Sequence, residues 1–396
     1  MNPNLQKLQP YPFERLRQLF AGIEPPSGKS PISLSIGEPR HTAPDFVLAE
    51  IAANLQRLSS YPSTTGLPEL RQSIAAWLQR RFHLPGIDAD HQVLPVSGTR
   101  EALFAFAQAV VTPDPQALVM SPNPFYQIYE GAALLAGATP HFLNCTPESG
   151  LLPDFASVSE QQWQRCQLLY ICSPGNPTGA VLPLAQLQQL ITLAHEHNFV
   201  IASDECYSEI YFDENTPPAG LLEACATLGD STYRNCVVFH SLSKRSNLPG
   251  LRSGFVAGDA EILKQFALYR TYHGCAMPVH HQLGSIAAWN DEAHVQANRQ
   301  LYRDKFATVL AQFDGKLDVA APDAGFYLWP KLDTSDTAFA RKLYASEHVT
   351  VLPGSFLGRE AQGINPGANR LRMALVAEHE QCADAARRIL RCLETL

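Results

Sequence analysis

Short apolar runs alternating with helical stretches fill the middle of this chain, and that alternation constrains its fold more than any other feature. Strands are predicted at 93–96, 117–120, 168–172, 199–202, 236–239 and 254–257, most of them separated by helical stretches such as 101–111 and 184–197. Helical crossovers between short, uniformly apolar strands imply an α/β fold with a mainly parallel sheet covered by helices. Open sheets of this kind bind ligands beyond the carboxyl ends of their strands, and Ser97, Ser173, Asp204 and Ser241 stand at the ends of strand candidates. Four polar residues would then face one crevice.

The flanks read differently. The first 45 residues are rich in proline and turn residues, with one extended piece at 32–36 ending in Gly37-Glu38-Pro39, and look like an arm. Pro68 opens a helix whose Leu70, Ile74, Trp77, Leu78 and Phe82 recur at helical spacing. Beyond about residue 294 come a long helix through Phe313, a strand at 326–329, a helix near 338–346, a strand around 371–375 and a final helix. The expected division is an arm that also supplies part of a small domain (1–45), a large domain (46–294) and a small carboxyl-terminal domain (295–396).

Composition narrows the partners. A net charge of -8 argues against a general nucleic-acid or acidic-membrane surface, so anionic ligands need local arginines. The nine cysteines are odd in number, scattered and without a Cys-x-x-Cys pair, which fits reduced thiols better than a disulfide framework or a zinc ribbon. The amino terminus lacks the apolar stretch of a signal peptide, and no run reaches the roughly 18 apolar residues of a membrane span. A cytoplasmic location is expected.

Chemistry concentrates in Ser241-Leu242-Ser243-Lys244 through Arg252, between two apolar strands. A lysine at the end of a buried strand is poorly solvated, which favours its neutral amine and suits it to form an imine with a carbonyl. Nearby hydroxyls and Arg252 can grip a phosphate beside that amine, and Gly250 lets backbone come close. An amine next to a phosphate clamp suggests pyridoxal phosphate, although the stretch alone reads more readily as a surface loop with three cations. At Ser97-Gly98-Thr99-Arg100 a strand turns into a helix, where free amides and the helix dipole attract a phosphate; an ordinary N-cap is the alternative. Other patterns fail. Ala383 stands where a zinc-protease motif beginning His379-Glu380 needs its second histidine, and Ile23 where a P-loop ending Gly28-Lys29-Ser30 needs its first glycine. His195 and His197 lie two apart in a helix and face different ways. No metal or nucleotide site is expected.

Tyr61-Pro62 through Arg71, Ser173-Pro174-Gly175-Asn176-Pro177-Thr178-Gly179, Asp204-Glu205-Cys206-Tyr207 and Ser241-Leu242-Ser243-Lys244 occur in the order found in one family. With them the chain resembles, over nearly its whole length, the fold-type I pyridoxal-phosphate aminotransferases of the aspartate aminotransferase-like class. The resemblance implies a large domain with a seven-stranded-type sheet, a smaller α/β domain, pyridoxal 5'-phosphate as cofactor, and a homodimer with shared sites. It implies Lys244 as the imine-forming base and Asp204 as partner of the pyridinium nitrogen. Asn176 and Tyr207 would bond the ring's phenolic oxygen, and Tyr126 would stack on the ring. Ser241, Arg252 and the shared assignment of Gly98, Thr99 and Arg100 would form the phosphate cup, with Tyr61 reaching it from the partner subunit. Arg372 would fork the substrate α-carboxylate, with Arg370 alternating beside it, and the backbone of Gly37 would approach the same group.

The implied reaction is two half-reactions moving an amino group from an amino acid to a 2-oxo acid. Leu8 through Phe13, Ser33 through Pro39 and Ser241 through Gly254 look more narrowly like the bacterial N-succinyldiaminopimelate aminotransferases of lysine biosynthesis. The alternatives are another class I aminotransferase, a C–S β-lyase on the same constellation, or a cofactor-binding regulator, which would need a DNA-binding module that does not precede Gly37. Arg40 is the first candidate for a distal substrate carboxylate, with Arg245, Arg270 and His273 behind it.

Overall fold

The computed structural model describes residues 1–395. Twelve strands occur among them: β1 (Ile32–Ser33), β2 (Val93–Val96), β3 (Leu118–Asn123), β4 (Thr139–Asn144), β5 (Cys166–Cys172), β6 (Val200–Asp204), β7 (Cys236–Ser241), β8 (Gly254–Gly258), β9 (Tyr327–Leu328), β10 (Val349–Thr350), β11 (Leu352–Pro353) and β12 (Leu371–Ala374). Seven of them form one sheet in the order β2-β8-β7-β6-β5-β3-β4. β4, β3, β5, β6 and β7 run parallel, while β8 runs antiparallel to both β7 and β2. β2 therefore points the same way as β7, and the reversed β8 brings its amino end to their carboxyl ends. Register makes this concrete: Val96 pairs with Gly254, and Gly254 with Ser241. Ser97, Ser173, Asp204 and Ser241 reach the same edge as Arg252.

Helices cover both faces of this sheet. On one side Trp77, Phe82, Phe255 and Trp289 pack together, and on the other Phe106, Phe239 and Phe266 meet edge to face. Each such ring contributes about 1.5–3 kcal/mol by leaving water. The predicted strands all form. β4 is an addition that the sequence concealed: it is one of the sheet's two edge strands, half-exposed, and carries Pro140, which suits an edge.

A second core lies around β9, β11 and β12 and the helices Ala293–Phe313, Asp336–Glu347 and His379–Leu393. The arm is built into it. β1 pairs parallel with β10, Leu34 N–H donates to Thr350, and Ala374 N–H donates to Leu34. The arm also holds a helix, Pro12–Leu19, started by Pro12 and pinned by buried Leu16 against Trp329, Leu352 and Phe356. The arm passes between this core and the large sheet, which places Ile36 and Gly37 over its carboxyl edge.

Candidate active site

Lys244 sits in the short helix Leu242–Arg245 directly after β7, whose cap Ser241 accepts a bond from Ser243 N–H. Its Nζ donates to the carbonyl of Gly37 and lies 5.4 Å from the centre of the Phe326 ring. Burial pushes this amine down to about 8, and the positive charges of Arg372 and Arg252 act in the same direction against Cys206 and Glu38. About a tenth of it is therefore neutral at pH 7, against a few in ten thousand for a solvated lysine.

Asp204 ends β6 and is 5% exposed. Tyr129 O–H donates to its Oδ2 at 2.7 Å and Cys206 N–H to its Oδ1 at 3.3 Å. Burial outweighs these donors and pushes the carboxyl up. Among the described residues no lysine or arginine pairs with it and His240 offsets the burial only in part, so a cation placed beside this carboxylate would be stabilised.

Across the edge, helix Thr99–Val110 begins at Gly98 with no side chain capping its free amides. Gly98 has φ +87°, and a Cβ there would lie 2.3 Å from Arg252 Nη2. Only glycine lets that guanidinium close over the helix start. Arg252 itself is in the left-handed region, donates to Pro249 O at 2.9 Å and forms no ion pair among the described residues. Ser241 Oγ meets Ser243 Oγ at 2.9 Å, and Thr99 Oγ1 lies 3.1 Å from Cys206 Sγ.

Arg372, on β12, comes from the second core. Its Nη1 donates to Asn176 Oδ1 at 3.0 Å and its Nη2 to Ser35 O at 2.8 Å, while its buried Nε has no partner. The guanidinium lies 4.7 Å over the Tyr327 ring, and Tyr327 Oη meets Tyr207 Oη at 2.9 Å. Arg370 points the other way, to Trp329 O. Arg370 precedes β12 and is tied to Trp329, whereas Arg372, within the strand, lines the pocket.

These groups line one pocket of about 410 Å³, shared with Tyr126, Arg100, Thr99, Tyr11, Phe13 and Ile36. Gly98 lies beneath it, pressed on Arg252. Tyr61 and Arg40 are exposed and lie outside the pocket of their own chain. Arg40 does not line the pocket of its own chain, and the pocket's additional arginine is Arg100, whose guanidinium stands 5.5 Å over the Tyr11 ring. Arg245 and Arg270 are buried in ion pairs with Glu292 and Glu101, and neither they nor His273 lines the pocket. Sequence reasoning missed Tyr129, Tyr327 and Cys206. Tyr129 reads as core because only its hydroxyl is polar, and Tyr327 reaches the site through pairing of β9 with β12.

A family profile described as Aminotransferase class I and II matches residues 29–389. The chain is similar to an aminotransferase from Neisseria meningitidis, with 51% identity, a TM-score of 0.95 and 99% of each chain covered. A probable N-succinyldiaminopimelate aminotransferase from Thermus thermophilus is 25% identical, with a TM-score of 0.86 over 96% of this chain and 100% of that one. The LL-diaminopimelate aminotransferase of Maridesulfovibrio salexigens is 30% identical over 392 residues, 97% of each protein.

Proposed function

Because the chain belongs to the class I and II aminotransferases, which depend on pyridoxal phosphate, we propose that it transfers the amino group of N-succinyl-LL-2,6-diaminopimelate to 2-oxoglutarate. The site fits the cofactor on three features: a buried carboxylate lacking a cation, uncapped amides at a helix start under Arg252, and an amine held partly neutral. When bound, pyridoxal phosphate supplies an aldehyde for amines and a ring that accepts electrons.

The protein's own groups do the rest. Asp204, oriented by Tyr129, would hold the ring nitrogen protonated, and Asn176 and Tyr207 would bond the phenolic oxygen. Ser241, Arg252 and the amides of Thr99 and Arg100 would hold the phosphate. Arg372 keeps its guanidinium plane fixed through Asn176 and Ser35, ready for a substrate α-carboxylate. Lys244 Nζ is the group suited to take and return the substrate Cα proton, since its lowered basicity makes the neutral amine available near neutral pH.

The substrate reading rests on the charge inventory of the pocket. Arg100, Lys244, Arg252 and Arg372 line it, against the single carboxylate of Asp204 among the described residues. With Arg372 and Arg252 engaged by α-carboxylate and phosphate, Arg100 is left for an anionic distal end. A free distal ammonium would meet the Arg100 cation and no carboxylate lining the pocket beyond Asp204, whereas succinylation neutralises that amine and adds a carboxylate. The second reading, unmodified LL-diaminopimelate, draws on the 30% identical relatives. Initial rates of purified enzyme with N-succinyl-LL-diaminopimelate, LL-diaminopimelate, aspartate, tyrosine and methionine as donors decide between them. A higher kcat/KM for the unmodified compound overturns the first reading.

A further inference from the structure

Outside the pocket, a hydrogen-bonded chain runs from a buried charge to the backbone of Lys244. Asn298, Tyr302 and Lys305 share one face of helix Ala293–Phe313 and are all buried. Lys305 is 2% exposed and forms no ion pair among the described residues, an expensive placement for an ammonium. Its Nζ lies 2.6 Å from His41 Nε2, and both groups pack on the Tyr302 ring.

The ammonium fixes the direction of every bond that follows. It can only donate, so Nε2 of His41 accepts and Nδ1 carries the ring proton. That Nδ1–H meets Asn298 Oδ1 at 2.7 Å, which leaves the Asn298 amide nitrogen to donate to the carbonyls of Lys244 and Arg245 at 3.3 and 3.4 Å. Gly37, four residues before His41, accepts from Lys244 Nζ. The arm thus bonds the amine of Lys244 directly through Gly37 and its backbone carbonyl indirectly, through His41 and Asn298, and Ile36 and Gly37 line the pocket.

We propose that His41, held in one tautomer by Lys305, is a positioning residue for Lys244, and that segment 37–41 couples the seating of the arm to the placement of the amine. This rests on the reading of Lys244 as the reactive lysine. A histidine serving only to fill space would not need its Nδ1 proton, whereas this chain does.

Asparagine can present an amide donor near the position of Nδ1, and glutamine an amide acceptor near that of Nε2, so the two replacements separate the roles. In holoenzyme, His41→Gln and His41→Leu are expected to lower kcat about tenfold with KM changed less than about twofold, because a misplaced reacting group costs rate and not binding. The pH midpoint of the bound cofactor's visible absorbance should shift with them. His41→Asn should restore both to within about threefold and to the parent midpoint, and Lys305→Met should behave like His41→Gln. The proposal is overturned if Asn and Gln variants are alike, or if all variants lower the melting temperature without moving rate or midpoint. Borohydride reduction and peptide mapping separate the two claims. Attachment at another lysine ends the reading of Lys244, and attachment at Lys244 with unaffected His41 variants ends the clamp alone.

Discussion

Arg100→Met tests the substrate assignment at one atom group. Arginine and methionine have similar helix propensity, so the first turn of Thr99–Val110 and its free amides persist. What disappears is a guanidinium that stands over Tyr11 at the pocket, with no carboxylate of the protein in reach. A charge-assisted bond to a substrate carboxylate contributes about 1.5–3 kcal/mol, and an exposed arginine belongs at the low end because solvent screens it. The expected loss in kcat/KM is therefore roughly 10- to 30-fold for N-succinyl-LL-diaminopimelate. The assay is the donor half-reaction followed by cofactor absorbance in single turnover, which keeps the distal carboxylate of 2-oxoglutarate out of the comparison. Norleucine, which has no distal charge, should react within about twofold of the parent rate. Equal losses with both donors, or weakened cofactor binding, would return the Arg100 side chain to the phosphate cup and refute the distal assignment.

Four further outcomes are expected. In cofactor-free protein, acylation of Lys244 by acetic anhydride, read by mass spectrometry, should be half-maximal near pH 8 and level above it, since the lowered amine is mostly protonated below that value; a midpoint above 10 contradicts the burial argument. Asp204→Ala should cost about a hundredfold or more in kcat while cofactor affinity falls less than about tenfold, because the carboxylate acts on the ring and other groups hold the phosphate; near-parent turnover would leave Asp204 structural. Gly98→Ala should weaken cofactor binding by about tenfold, measured by equilibrium dialysis, as its Cβ displaces Arg252 and strains a positive φ. Mixing Lys244→Ala with a Tyr61 variant defective in cofactor binding should restore activity in hybrid dimers, and hybrids without activity would remove Tyr61 from the partner's site.

Local pattern alone determined the strands, their helical crossovers and the residues at their ends, because burial on both faces leaves an apolar run in each strand and a ligand edge just beyond it. That is why the strand-end positions of Lys244, Asp204, Ser241 and Arg252 were legible, each lying within a few residues of a strand it follows or precedes, while the roles expected of them came from the family resemblance. Tertiary structure decided what depends on distance in sequence. Arg372 faces the site because β12 begins at Leu371 and Asn176 and Ser35 hold its guanidinium, whereas Arg370, just before the strand, turns to Trp329; neither arginine encodes those partners. Tyr129 orients Asp204 from 75 positions away, and Arg372 is held by Ser35 across 337. β4 hid because its first four residues are exposed or half-buried and mix threonine, proline and histidine with one phenylalanine, whereas the other edge strand, β2, is buried throughout and apolar. The place of Arg100 at the pocket and of Arg40 outside it, and the path from Lys305 through His41 to Lys244, depend on how the arm packs between the two cores: the sequence supplies the polar groups, and their partners are chosen by the fold.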